Sequence, residues 1–503
     1  MMRFLALAVT GLGFPIAVLA QSATTVERAV GSITPEDVYN RIAVIAHDSM
    51  LGRDTPSPGL DQTAEYIAGQ FEQMGLKPGG DNGTFIQRYP LRQTQLNLVA
   101  SNITIDHGPT WQLGPDVLVR FGSLPASVSG SAVVVDGATG GLEIIEAADL
   151  AGRIVILASP TTRMSSQLMQ ALFGQGPAAV ISLTQRSEGS WSRAQQRLGR
   201  SAVTKAWGES REGMAWLEVR ETTVAPVLAA HGYELASAEE RAAQPISVRD
   251  VRDLELTVDL QYAGSGTGSA PNVVGILEGS DPDLRNEYVL FSAHMDHIGV
   301  RPPVQGDSIA NGADDDASGT VAIIEMAEAY AMLNPRPKRS TIFLAVSGEE
   351  KGLWGSEYFA DNPSVPLTQI VADLNADMIS RNWKDTVVVI GKEHSDLGST
   401  MNRVNGEHPE LNMDAIDDLW PEERFYFRSD HYNFARKGVP ILFFFTGTHE
   451  DYHQVTDEVD KIDAEKAARI VKLMFYVGLE VANSPQRPRW DPASYNQIVE
   501  LVP

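Results

Sequence analysis

Apolar positions recur at helical spacing twice near the start of the chain. In "TPEDVYNRIAVIAHDSM" and "LDQTAEYIAGQFEQMG" they return every three or four residues, which gathers them on one helix face. Thr34 is placed to cap the first helix, with Asp37 three residues on, close to a capping box. The second helix is expected from about Leu60 to Met74, with Gly75 stopping it. From about Leu96 to Val251 the texture changes. "LNLVASNITID", "DVLVRFGS", "GSAVVVDG", "GRIVILAS" and "PAAVISLT" are short β-branched runs broken by Gly and Pro, hence strands. A helical pattern, "SSQLMQALFGQG", precedes the last of them. "QRSEGSWSRAQQRLGRSAVTKAWGESREG" is polar and locally basic and reads as an exposed loop. From about Leu254 a third texture begins, in which apolar runs ("EYVLFSAH", "STIFLAVSG", "IVADLNAD", "DTVVVIG", "VPILFFFTG") alternate with helical patterns. That alternation predicts a mostly parallel central sheet flanked by helices.

Length and composition refine this picture. A chain of 503 residues exceeds one ordinary domain. The expected division is a leader over 1–20, an N-terminal part of the main domain over 21–95, an insert over 96–251, the main domain over 252–485 and a tail over 486–503. Hydrophobic residues make up 43% and charged residues 21%, the balance of a globular protein. The formal net charge of -25 repels phosphate backbones and argues against nucleic acid as a partner. With no cysteine, disulfides, thiolate nucleophiles and thiolate metal ligands are excluded. Arg3, an apolar run and Val18-Leu19-Ala20 before Gln21 fit a secretory signal, so export to the periplasm or the extracellular space is expected. No other run is long and apolar enough to suggest a membrane span in the mature chain.

The candidate chemistry begins with "THEDYHQVTDE", Thr448 to Glu458, which contains H-E-x-x-H. On a helix this pattern offers two histidines to one zinc and a glutamate to its water. "VPILFFFTG" before it is a buried-strand pattern, and the next convincing helix starts near Asp463, so the segment reads as a loop. Ligands of open α/β sheets bind beyond the carboxyl ends of the strands. There the chain places His294 and Asp296, then Glu349 and Glu350, then Asp377, then His449 and His453. Asp314 to Asp316 lie between the first two groups, at the start of a helix. One such residue after a strand is an ordinary cap. The convergence of all of them on one rim is not. Imidazoles and carboxylates without thiolates suit divalent cations, zinc foremost. So many donors suit two ions, with one carboxylate bridging, better than one ion that must keep a place for water.

These residues resemble the secreted di-zinc aminopeptidases, relatives of glutamate carboxypeptidases and glutaminyl cyclases. The resemblance lies in "SAHMDHIG", "NGADDDASGT", "SGEEKGLWGS", "NADMIS", "RSDHYNFARKGVP" and "DYHQVTDEVD", in the family's order across roughly Asn272 to Asp460. "LAGRIVILASP" and "GPAAVISLT" look like a protease-associated domain inserted into that fold. The resemblance implies a zinc-exopeptidase fold, two zinc ions and a peptide substrate. It further implies that His294 and Asp377 hold one ion, Glu350 and His453 the other, and Asp315 bridges them. By the same likeness Glu349 is the general base and Tyr452 a hydrogen-bond donor to the oxyanion. Asp296 is expected to orient His294, and Asp457 to orient His453. Asp430 is a further candidate, for seating a substrate amine, while His297 and His431 are given supporting roles. His449 and Glu450 remain on the rim without an assigned role.

The alternatives are a dipeptidase or carboxypeptidase with the same centre, a single-zinc glutaminyl cyclase, and a receptor-like protein that kept the fold without catalysis. A single-zinc endopeptidase built on His449, Glu450 and His453 is the further rival, and it leaves His294, Asp315, Glu350 and Asp377 unexplained.

Overall fold

The computed structural model describes residues 24–499 apart from 122–126, 141, 160–167, 169, 170, 173, 185 and 208–214. The leader expected over 1–20 and most of the helix expected in "SSQLMQALFGQG" lie outside the described residues. The chain divides into two compact units, one formed by the segments up to Tyr89 and from Ser269, the other by Pro90–Gly268. Among the described residues no helix is long and apolar enough to cross a membrane.

The first unit includes α1 (Pro35–Ile45) and α2 (Pro58–Gln73) near its start. Thr34 caps α1 by accepting from the Asp37 amide, and Ser57 caps α2. The unit's sheet contains β1 (Tyr262–Leu277, which belongs to this unit from Ser269 on), β2 (Tyr288–His294), β3 (Ser340–Val346), β4 (Ile370–Ala376), β5 (Thr386–Ile390), β6 (Asp414–Ile416) and β7 (Ile441–Phe445). These strands lie in the order β6-β5-β7-β4-β2-β3-β1. The central four, β7, β4, β2 and β3, run parallel. β1 and β5 join them antiparallel, and β6 pairs parallel with β5. Because β2, β3, β4 and β7 are buried on both faces, their sequences are continuous apolar runs rather than alternating ones.

Two helices flank the centre. α3 (Gly319–Ala331) is apolar nearly all round and almost wholly buried. α4 (Ala464–Asn483) presents Gly478 to β2. A Cβ on Gly478 would stand 2.4 Å from Phe291 Cζ and 2.7 Å from the Tyr330 hydroxyl. The bare glycine is what lets this helix approach the sheet so closely.

The second unit holds an eight-stranded sheet of its own, with Ser127–Asp136, Ile154–Leu157, Ala179–Leu183 and Ala215–Val219 parallel at its centre. Its extent exceeds the 96–251 insert expected from sequence. Ser247–Asp259 continues this sheet, pairing Asp259 with Ser127, so the boundary falls after the strand and not within it. The segment read as an exposed loop instead carries a helix, Glu188–Leu198. Trp191 is the reason: it is 2% exposed, donates from its indole to the Gly114 carbonyl at 3.2 Å and lies under the Arg220 guanidinium. One aromatic anchor on an otherwise polar helix leaves no apolar stripe to read. The expected C-terminal tail likewise includes a helix, Pro492–Ile498, whose Ile498 joins the core of the first unit.

Gly478→Ala is expected to lower the unfolding free energy by about 1–3 kcal/mol through overpacking, although alanine is the better helix former. Gly69 in α2 has nothing near its missing Cβ, so Gly69→Ala is expected to raise it by about 0.5–1 kcal/mol. Urea denaturation of the two variants checks both signs.

Candidate metal centre

Four neighbouring strand ends deliver the acidic and imidazole groups. His294 is the last residue of β2, Asp377 follows β4, Glu349 and Glu350 follow β3, and His453 lies in the loop after β7. Asp315 comes from the turn Ala313–Ser318 that feeds α3. His294 Nε2 lies 3.5 Å from Asp315 Oδ1, 3.6 Å from Asp377 Oδ1 and 4.0 Å from Asp316 Oδ2. His453 Nε2 lies 3.2 Å from Asp315 Oδ2 and 3.0 Å from Glu350 Oε2. The two oxygens of Asp315 therefore face different histidines. His453 has a left-handed backbone with φ 59°, a strained state costing about 1–3 kcal/mol and typical of functional positions.

The three adjacent aspartates have separate tasks. Asp314 accepts from the Ser380 amide at 2.7 Å and hydroxyl at 2.6 Å, and its other oxygen lies 3.2 Å from His449 Nε2. Asp315 turns toward the histidines. Asp316 accepts from the amides of His294, Gly319 and Met378, tying together β2, α3 and the segment after β4. Asp457 departs from its expected place. Its carboxylate accepts the amides of Asp314 and Asp315 at 3.1–3.2 Å, so its hydrogen bonds hold the aspartate turn and not His453. A carboxylate is drawn to clustered free N–H groups, and this turn presents two in succession. His449 also departs from a bare rim position, since its ring is 4% exposed and engaged with Asp314. Glu450 is exposed. Residues 446–458 form turns and bends without a helix, so His449 and His453 do not share a helix face.

Asp296 supports His294 in two ways: its carbonyl lies 3.1 Å from His294 Nδ1 and its carboxylate 3.7 Å. The carboxylate also accepts from the Glu349 amide and from Thr55. Ser429 donates to Asp377 Oδ2 at 2.8 Å. His431 is buried, 2.8 Å from the Tyr426 carbonyl through Nε2, and stacked on Phe443. Asp430 is wholly buried and does not line the cavity beside the site, which leaves it without access to a substrate amine.

That cavity is bordered by His294, Asp315, Glu349, Asp377, Tyr452 and His453, with Phe425, Phe443 and Phe445 on its apolar side. Burial, then the nearby Asp430, Asp377 and Glu350 carboxylates, push the Glu349 carboxyl well above its usual range. Burial and the Asp315 carboxylate likewise raise the Tyr452 phenol, keeping it a neutral donor. Its ring stacks on His453 with centroids 3.9 Å apart. Burial works against charge on His453, yet Asp315 and Glu350 hold it up to about 10.

Residues 272–478 match the model of peptidase family M28. Over this segment the chain resembles the M28 peptidases. A probable zinc metalloprotease of Pyricularia oryzae is 30% identical over 260 residues, 43% of this chain and 51% of its own. A second, of Pyrenophora tritici-repentis, is 27% identical over 282 residues, 46% of this chain and 57% of its own. The chain thus spans about half the length of the curated relatives it matches. An aminopeptidase from Aneurinibacillus sp. strain AM-1 has a similar fold, with a TM-score of 0.56 at 18% identity over 93% of this chain and 98% of that one.

The donor set of this segment fits divalent cations. His294, Asp316 and Asp377 gather ligand atoms within 4.8 Å, as do His297, Asp315 and Glu350. His297 Nδ1, Asp315 Oδ2 and Glu350 Oε1 are buried without a hydrogen-bond partner among the described residues. Buried lone pairs left facing one another are what a cation satisfies. The sequence suggests only a supporting role for His297, yet it stands 2.9 Å from Glu350 Oε1. Its one signal was its place beside Asp296 in "HMDHIG".

Arg53 gave no signal. It is fully buried and donates to four main-chain carbonyls, those of Met295, Ile45, Asn311 and Gly312. Burial pulls the guanidinium down to about 10, against the pull of Asp296, Asp315, Asp316 and Asp457. Arg53→Met would strand those four acceptors, each worth about 1–3 kcal/mol when buried unpaired. The expected outcome is a loss of unfolding free energy above about 3 kcal/mol, read by denaturant titration of the metal-free protein.

Proposed function

We propose that this chain is an exported zinc-dependent exopeptidase, an aminopeptidase that removes N-terminal residues from peptides with two zinc ions. One observation carries the reading: Asp315 directs Oδ1 toward His294 and Oδ2 toward His453, the arrangement of a carboxylate that bridges two cations. His294 and Asp377 would hold one ion, Glu350 and His453 the other. The apolar run before Gln21 supports export. In this reading the Pro90–Gly268 unit is a protease-associated-like insert.

When bound, the two ions supply electrophilic polarisation of the scissile carbonyl and acidify water. Glu349 takes the proton of the attacking water and passes it to the leaving amine. Its burial among other carboxylates raises its affinity for that proton. Tyr452, bordering the same cavity, donates a hydrogen bond to the developing oxyanion. Asp296 and Ser429 fix His294 and Asp377 in place.

Metal analysis of the purified protein should give two zinc ions per chain. A single ion would favour the cyclase reading. Asp315→Ala should lose affinity at both sites, whereas His294→Ala and His453→Ala should each lose mainly one. Glu349→Gln should keep both ions and lose about 10²–10⁴-fold in kcat. Peptides with a free amine should be cleaved and N-blocked ones spared. Cleavage of N-blocked peptides, or an active Glu349→Gln variant, would overturn the aminopeptidase proposal.

A further inference from the structure

Apart from imidazoles, the residues bordering the cavity include a single cation, Arg428. It sits in a sequence of strong structural obligations. Ser429, the next residue, donates to Asp377 at 2.8 Å, so the backbone at Arg428 is fixed beside the candidate metal centre. Phe425 lies under the guanidinium, with Cζ 4.8 Å from the ring centroid. That ring is itself packed against Phe445 at 5.0 Å and Trp420 at 5.8 Å. Stacking on an aromatic shelf orients a guanidinium while leaving its in-plane N–H groups available.

The polar contacts of Arg428 are weak by comparison. Nη1 lies 3.4 Å from both the carbonyl and the carboxylate of Glu423, at the long limit of hydrogen bonding. The side chain is 47% exposed. Taken alone, these facts would describe an ordinary surface arginine. Its place among the residues that line the same cavity as Asp315, Glu349 and Asp377 sets it apart. The chain carries a net charge of -25, and Asp315, Glu349 and Asp377 border the same space. An anionic substrate group entering here meets repulsion from these carboxylates, and among the non-imidazole residues on the wall Arg428 offers it the positive charge.

We propose that Arg428 recognises a substrate carboxylate within one residue of the scissile bond, making the enzyme selective for small anionic peptides. The proposal rests on the peptidase reading above. Arg428 borders the same cavity as Asp315, Glu349 and Asp377, which makes the group it meets a near neighbour of the reacting carbonyl. Two sources share this chemistry: the C-terminal carboxylate of a dipeptide, and the acidic side chain of the N-terminal residue. A planar guanidinium takes either in a bidentate pair.

Two pairs of substrates separate the sources. Leu-Ala is compared with Leu-Ala amide, and Glu-Ala amide with Gln-Ala amide, on the zinc-loaded protein. In one pair the carboxylate-bearing member should have the higher kcat/KM, and Arg428→Gln should cut that ratio about tenfold, acting through KM. Arg428→Lys should restore part of it. The same four peptides are titrated calorimetrically against the zinc-loaded Glu349→Gln variant, with and without Arg428→Gln, so that recognition is read without turnover. Ratios of kcat/KM and of Kd that are the same with and without Arg428 in both pairs would overturn the proposal. If no peptide is hydrolysed while the Kd ratio still depends on Arg428, the peptidase reading fails and the recognition stands.

Discussion

The first unit depends on a buried positive charge that, among the described residues, has no carboxylate as its direct partner. Arg53 fans its donors onto the main chain of α1, of the segment after β2 and of the residues before the aspartate turn. Each of those stretches ends in irregular backbone, which must satisfy its carbonyls by some route other than a ladder. One guanidinium satisfies four of them at once. It also places a positive charge under a crowd of carboxylates, which tempers their mutual repulsion before any cation arrives. A lysine offers three donors from a point and cannot span the same carbonyls in a plane.

Around that support the acidic groups divide into those that hold backbone and those that face the cavity. Asp314, Asp316 and Asp457 spend their oxygens on amides, hydroxyls and one imidazole. Asp315, Glu349 and Asp377 face the open space. The division explains why the centre contains more carboxylates than cations can use. An amide-saturated carboxylate is a rigid strut, whereas one left with free lone pairs is a ligand or a base.

The strands, their order along the chain and the rim on which the chemistry falls were legible because doubly buried strands and their acidic ends leave strong local patterns. His294, Asp377, Glu349, Glu350 and His453 each follow an apolar run, and the structure brings them together. What stayed hidden is non-local. Arg53 in "GRD" resembles any surface arginine, because its carbonyl partners in the 295–312 region are some 240–260 residues away. Asp457 was assigned to its sequence neighbour His453, while its actual partners lie about 140 residues back. H-E-x-x-H misled for the opposite reason: a local pattern with no helix beneath it. Trp191 shows a third limit, since a single buried residue on a polar helix has no period.

The long reach of the Asp457 contact bears on the order of events during folding. The aspartate turn at residues 313–318 takes its anchoring carboxylate from a loop that emerges from the ribosome only after more than a hundred further residues. Pairings of such high sequence separation form late, because loop closure must precede any return from the contact. Until then Asp315 lacks its support, and the histidine that faces its second oxygen does not yet exist in the nascent chain. A chain still being made therefore has His294 and Asp315 without the geometry, so the candidate centre comes into being only when the domain is nearly whole.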